Sequence, residues 1–194
     1  MLADILITIL LIASTFYLTI VLLRFLLQLA RADFYNPITQ FVVKATNPPL
    51  RPLQRVIPGL GGFDGASLVL AVIIQGITFF LILVALNGGI PAINPITLLV
   101  WAVLNVLDLI VKIYFWSVIA VVVVSWIAPG SGHPAIQLVA QITEPVMRPV
   151  RNIMPSMGGL DLSPIIVFLI LNVITVVIDH MKVAAGLGSI GLGM

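Results

Sequence analysis

Four long stretches of the chain are almost uninterrupted by polar residues, and between them lie segments where apolar and polar positions alternate with helical spacing. The long stretches cover about 5–30, 66–86, 96–127 and 164–182. A helix needs about 20 mostly apolar residues to cross the hydrocarbon core of a bilayer, so each stretch is predicted to be a membrane span. The third exceeds one core thickness, which predicts strong tilt or first turns that project beyond the lipid. An uncharged turn from Asn87 to Pro95 joins the second to the third, and Pro164 suits the first helical position of the fourth. The closing residues, AAGLGSIGLGM, are small and are expected to be poorly ordered. The opening residues, MLADILITILLIAST, lack the basic region and cleavage site of a signal peptide and read as a retained first span.

The two long intervening segments predict amphipathic helices. Asn36-Pro37 and His133-Pro134 have the form of helix starts, with proline at the first helical position and Asn36 as cap. Ile38, Phe41, Val42 and Ala45 fall on one face, matched later by Leu138, Val139 and Ile142. Pro48 and Pro145 are expected to end these helices, because proline in a helix interior removes a hydrogen bond and crowds the preceding turn. A second short helix then follows in each segment. Leu50, Leu53, Val56 and Ile57 alternate with Arg51, Gln54 and Arg55; Met147, Val150, Ile153 and Met154 alternate with Arg148, Arg151 and Asn152. Short basic amphipathic helices of this kind fit the lipid headgroup plane; the alternative is a loop packed on its own spans.

These segments are copies of one another. TNPPLRPLQRVIPGLGGFD at 46–64 returns without a gap as TEPVMRPVRNIMPSMGGLD at 143–161, an offset of 97 residues in a chain of 194. The same offset superposes Pro37 on Pro134, Gln40 on Gln137 and Val42 on Val139. The chain therefore divides into two units, 1–97 and 98–194, the second holding 98–127 of its first span. Each unit has two spans, an even number, so the copies enter the membrane in the same orientation as parallel repeats. Both long loops then lie on one side. They carry Arg31, Lys44, Arg51, Arg55, Arg148 and Arg151, whereas the opposite face has only Lys182 near a span end. The excess of basic residues places the loops in the cytoplasm and both termini outside. The fold class expected is all-α, with four transmembrane helices and short interfacial helices in the loops.

Composition narrows the chemistry. Hydrophobic residues make up 61% and charged residues 8%, against about a quarter charged in soluble domains. The absence of cysteine excludes disulfides, cysteine-ligated zinc or iron–sulfur sites, and c-type haem attachment. A net charge of +2 is too small for a phosphate-backbone surface, so no direct nucleic-acid contact is expected.

With its Pro, Arg, Gly and Asp positions repeated at 46–64 and 143–161, each time before an apolar span, the chain resembles the YggT family of bacterial and plastid membrane proteins. The resemblance covers nearly the whole chain. It implies an inner-membrane protein linked to osmotic or extracytoplasmic stress, or to cell division; its plastid relatives imply maturation of a b-type cytochrome or nucleoid organisation. It brings no family-wide catalytic chemistry.

Several residues are candidates for specific roles. Arg51 with Asp64, and Arg148 with Asp161, bracket the turn before the second and fourth spans. The arginines, with Arg55 and Arg151, suit contacts to lipid phosphate or an acidic partner. Each Asp suits a helix cap, with the arginine pairing locally. GLGGFDG lacks the Lys-Ser/Thr of a phosphate-binding loop, and its counterpart keeps only Gly158 and Gly159, which fits a tight turn. Inside the membrane the offset superposes Gln75 on Asn172 and Thr78 on Thr175, an expected polar layer near the midplane. It would serve interhelical hydrogen bonds or line a path for ions or water. Asp108, Lys112 and Asp179 form an outer charge cluster without counterpart in the first unit, where Leu11 and Thr15 occupy the positions of Asp108 and Lys112. Lys112 is expected to pair with Asp108 or Asp179, as a structural ion pair, by snorkelling, or as a single ion or proton site. Arg24 is expected to snorkel to headgroups. His133 and His180 fall on opposite faces and make no metal or haem site. No nucleophile–base constellation is visible. An enzyme is disfavoured, no cofactor is implied, and the expected partners are membrane lipids, an unidentified membrane protein and a further copy of the chain. The functions that follow are a non-enzymatic scaffold or accessory factor, a small ion channel or transporter, or a cofactor or complex maturation factor.

Overall fold

The structure, a computed structural model, describes residues 2–59, 62–128, 130–153 and 161–187. Six helices follow in order: α1 (Leu2–Leu29), α2 (Pro37–Val56), α3 (Gly65–Asn87), α4 (Pro95–Ile127), α5 (Pro134–Ile153) and α6 (Ser163–Ala184). Helices α1, α3, α4 and α6 are long and apolar enough to cross a membrane. The tight turn of the second copy with Gly158 and Gly159, the residue Met154 and the tail from residue 188 lie outside the described residues.

Helix boundaries follow local chemistry. Asn36 accepts a hydrogen bond from Ile38 N ahead of Pro37, and Asn94 accepts one from Ile96 N ahead of Pro95. His133 takes the same role for α5, its Nδ1 accepting from Ala135 N at 3.2 Å. At the end of α1, Arg31 N donates to Gln28 O and Ala32 N to Leu27 O, with Arg31 at φ +50°. That is the paired hydrogen bonding of a left-handed helix stop, a position where glycine is the usual residue. Gly62, at φ +97°, supplies the backbone freedom for the turn into α3.

The prolines do not end the amphipathic helices. Helix α2 continues through Pro48, Pro49 and Pro52, and α5 through Pro145 and Pro149, so each loop holds one helix of 20 residues where two short ones were expected. In α2 the disrupted ladder is met from α1. The Tyr17 hydroxyl donates to Ala45 O, the carbonyl that the imide nitrogen of Pro49 cannot serve, at 3.4 Å, and Arg24 Nη1 ties the preceding turn to α1 through Val43 O at 3.2 Å. The fixed φ of proline is itself helical, so with one freed carbonyl met from α1 and the turn tied to the same helix, α2 persists.

Thr39, Val42, Thr46 and Leu50 form the buried stripe of α2, and Leu138, Ile142, Thr143 and Met147 that of α5. Both stripes face the spans. Phe41, expected on the inner face, points outward with Val56. The main core joins Leu18, Leu22 and Leu26 of α1 to Leu70 and Ala71 of α3, Val111 and Val118 of α4, and Leu171 and Ile178 of α6. In lipid such contacts are driven by close packing rather than by escape from water. A smaller cluster at the far end packs Phe79 edge-on against Trp101 beside Leu187, and Trp101 Nε1 donates to Ala185 O at 2.8 Å. This cluster receives the first turns of the overlong α4.

The spans contact in the order α1, α3, α4, α6, with α2 against α1 and α3, α5 against α4 and α6, and α2 against α5. Helices α2 and α5 therefore lie at the same end. The α3–α4 contact has no comparable α6–α1 counterpart, so the bundle is open on one side and α6 forms an edge. The copies also join through Asn36 Nδ2 to Pro134 O at 2.8 Å and Asp33 N to Gln141 Oε1 at 3.0 Å.

Candidate functional site

At the loop end, α1 brings Arg24 beneath both α2 and the start of α3. Its Nη1 donates to Thr46 Oγ1 at 2.9 Å and Asn47 Oδ1 at 2.7 Å in addition to Val43 O. Its Nε lies 3.6 Å from Asp64 Oδ2. Asp64 caps α3 as expected, accepting from Ser67 N at 3.2 Å and from the Ser67 hydroxyl, and its side chain is only 2% exposed. Arg24 therefore does not snorkel to headgroups. It ties three helices together, because a guanidinium taken out of water is best satisfied by a carboxylate and several acceptors at once.

The expected local pairs are replaced. Asp64 pairs with Arg24, not Arg51, and Asp161 pairs with Arg151 at 3.3 Å, not Arg148. The offset puts Val121 where the first copy has Arg24. Asp161 has no cation beneath it, and its side chain stays 45% exposed among surface groups. It accepts from Ser163 N at 2.9 Å, one residue before the position of a helix cap. Hydrogen bonding from Ser163, with a smaller contribution from Arg151, holds its carboxyl below the ordinary value. Arg151 also reaches Glu144 at 3.4 Å. Arg51, Arg55 and Arg148 are exposed and have no ion pair among the described residues.

The polar layer does not assemble. Thr78 donates to Ile74 O, Asn172 to Phe168 O and Thr175 to Leu171 O, each four residues back in its own helix. Gln75 and Thr78 are buried, whereas Asn172 is exposed on the edge helix. An open bundle leaves α6 no facing partner across the axis, so the four side chains share no lining.

The far-side charges do assemble, with one change of partner. Lys112 Nζ lies 3.0 Å from Asp108 Oδ2, as expected, and Lys182 Nζ lies 2.6 Å from the same oxygen. Asp179 is exposed and takes no part. Lys182 shares the buried face of α6 with Ile178 and Leu171, four and eleven residues away, whereas Asp179 is turned from it. Asp108 and Lys182 are almost fully buried while Lys112 is about half exposed. No group of three metal-ligating side chains occurs among the described residues.

Four apolar spans, two loop helices at one end and a buried charge cluster towards the other define a multi-pass helical membrane protein. The model of the CCB3/YggT family matches twice, at residues 3–85 and 100–181, and the chain belongs to that family. Among its relatives, an uncharacterised protein of Pseudomonas aeruginosa is 50% identical over 175 residues, covering 90% of this chain and 88% of its own. The uncharacterised protein YggT of Escherichia coli K12 is 38% identical over 170 residues, 88% and 87% of the two chains. An uncharacterised Vibrio alginolyticus protein is 39% identical over 154 residues, 79% and 82%. No solved structure matches the chain.

Proposed function

We propose that the protein is a non-enzymatic scaffold or accessory protein of the bacterial inner membrane, serving osmotic or extracytoplasmic stress adaptation or the organisation of another membrane complex. The observation that supports this reading is the pair of adjoining helices α2 and α5, which expose Arg51, Arg55 and Arg148 with no ion pair among the described residues. A basic surface at the end of a membrane bundle attracts anionic headgroups and acidic partner segments. The excess of positive charge on this side favours the cytoplasm, with both termini periplasmic.

Because the chain has no cysteine, single cysteines report topology and contacts without background. A cysteine at Ile90 is expected to react with an impermeant maleimide added outside the cell, and one at Gln54 only after permeabilisation; the reverse pattern inverts the topology. Photo-crosslinkers at Arg55 and Arg148 in native membranes are expected to capture one recurrent membrane protein. Capture of lipid and self-contacts alone removes the support for an accessory role, and ion flux into liposomes carrying the purified protein would replace it with transport.

A further inference from the structure

The groove between the odd-numbered span and its loop helix occurs in both copies, and the two grooves differ in chemistry. In the second copy it is a space of about 130 Å³ lined by Ala120, Val121, Val124, Ala135, Ile136 and Val139, all apolar. In the first copy the groove is about 280 Å³, and Arg24, Gln28, Arg31 and Thr39 line it beside Leu27 and Phe34. The offset sets Arg24 against Val121 and Thr39 against Ile136. A neighbouring space of about 540 Å³ shares the wall of Phe34 and Val43 and adds Lys44, Asn47 and Arg51. Neither space in the first copy is lined by a carboxylate.

Two details set the polar groove apart. Thr39 is 4% exposed, and its hydroxyl has no hydrogen-bond partner. Six other helical threonines, Thr8, Thr19, Thr46, Thr78, Thr143 and Thr175, donate to the carbonyl four residues back. Thr39 sits in the first turn of α2, so the carbonyl four residues back belongs to Tyr35, outside the helix. A buried hydroxyl without a partner is costly unless something fills the need. Arg31 holds a left-handed conformation that glycine would adopt without strain, and it has no ion pair among the described residues. Arg24 is already committed to Asp64 and α2, so Arg31 supplies the free charge.

The geometry points to a binding site for the phosphate of an anionic glycerophospholipid, present in the first copy only. Arg31 would take the phosphate oxygens, the Thr39 hydroxyl would donate to one of them, and Gln28 would meet the glycerol end of the headgroup. Lipid is the source favoured by position. The groove lies at the loop end of α1, Leu27 and the exposed Phe34 line it, and the exposed Tyr35 follows Phe34 in the chain, the aromatic setting of a membrane–water boundary. The inference goes beyond diffuse attraction of the loop surface to headgroups, since it names one site and no partner protein.

The test uses the full-length protein in a neutral detergent, with dihexanoyl-phosphatidylglycerol as probe and the rise in melting temperature as readout. The wild type is expected to be protected, with weaker protection from dihexanoyl-phosphatidylcholine. Arg31→Gly and Thr39→Val are each expected to weaken binding about tenfold, the loss of one charge-assisted hydrogen bond. Without lipid both variants should melt no lower than the wild type, since one removes backbone strain and the other an unpartnered hydroxyl. Val124→Ala in the apolar groove should leave lipid affinity unchanged. Equal protection of both variants, or equal protection by phosphatidylcholine, overturns the site. Equal protection by inorganic phosphate alone overturns the assignment to lipid.

Discussion

Replacing Arg24 with valine gives the first copy the residue that the second copy has at Val121, so the perturbation is one the fold already accepts elsewhere. The cost is set by Asp64, which stays capped on α3 but loses its counter-charge while only 2% exposed. Breaking one partner of a buried ion pair costs about 3–5 kcal/mol. The 3.6 Å separation and the residual exposure of the arginine argue for the lower end, near 3 kcal/mol. The three acceptors of Nη1 do not add three further bonds, since that nitrogen carries two hydrogens. Asp64→Asn keeps the capping oxygen and leaves Arg24 its contacts with α2, so about 1 kcal/mol is expected. If the pair is coupled, the double variant falls short of the sum of the singles by about 2 kcal/mol. The assay is reversible unfolding in mixed micelles, followed by the fluorescence of Trp101, Trp116 and Trp126. An Arg24→Val variant within about 0.5 kcal/mol of the wild type, or strictly additive singles, would refute the claim that this pair holds the loop end together.

At the far side, Asp108→Asn leaves Lys182 buried without a counter-ion and is expected to cost about 3 kcal/mol, whereas Lys182→Met leaves Lys112 on Asp108 and should cost less than half of that; the same unfolding assay ranks the two, and the reverse order rejects the arrangement. Trp101→Phe keeps the packing on Phe79 but frees Ala185 O, an expected loss of about 1 kcal/mol that should appear first as faster exchange of amides at the end of α6. Asp161 has a lowered folded value, so its contribution is complete above the unfolded carboxyl's ordinary 3.8 and is lost as the pH falls through the lower folded value. Unfolding curves of the wild type and Asp161→Asn are therefore expected to differ at neutral pH and to converge in acid; a constant gap would show that Asp161 acts without its charge.

The spans were legible because the hydrocarbon core imposes a length, and no tertiary detail changes that requirement. The caps Asn36 and Asp64 were legible because capping is local. The continuation of α2 through Pro48 and Pro49 was not, since the Tyr17 hydroxyl that meets the freed Ala45 O arrives from another helix. The duplicated Arg51 and Arg148 drew attention as partners of the duplicated Asp residues, yet the cation that reaches Asp64 comes from a position without a duplicate. The rotation of α6 was also missed. Counting back from Lys182 to Ile178 and Leu171 would have placed the lysine on the inward stripe and Asp179 off it.

Comparison of the copies separates what the fold requires from what the protein has added. The loop helices, their buried threonines Thr46 and Thr143, and an acidic residue before the even-numbered spans recur in both copies. They therefore answer a need that each copy has: a helix start at the membrane boundary and a loop pinned to its own spans. The other buried polar groups follow a different rule. Arg24 and the free hydroxyl of Thr39 belong to the first copy at the loop end; Asp108 and Lys182 belong to the second copy at the other end, where the first has Leu11 and Ala85. The duplicate of each cluster is apolar and folds without it, so neither is a condition of the architecture. Buried charge that a neighbouring copy of the same fold dispenses with costs stability without an architectural return, and these two clusters, one at each end of an otherwise apolar bundle, are where a specific activity is to be sought.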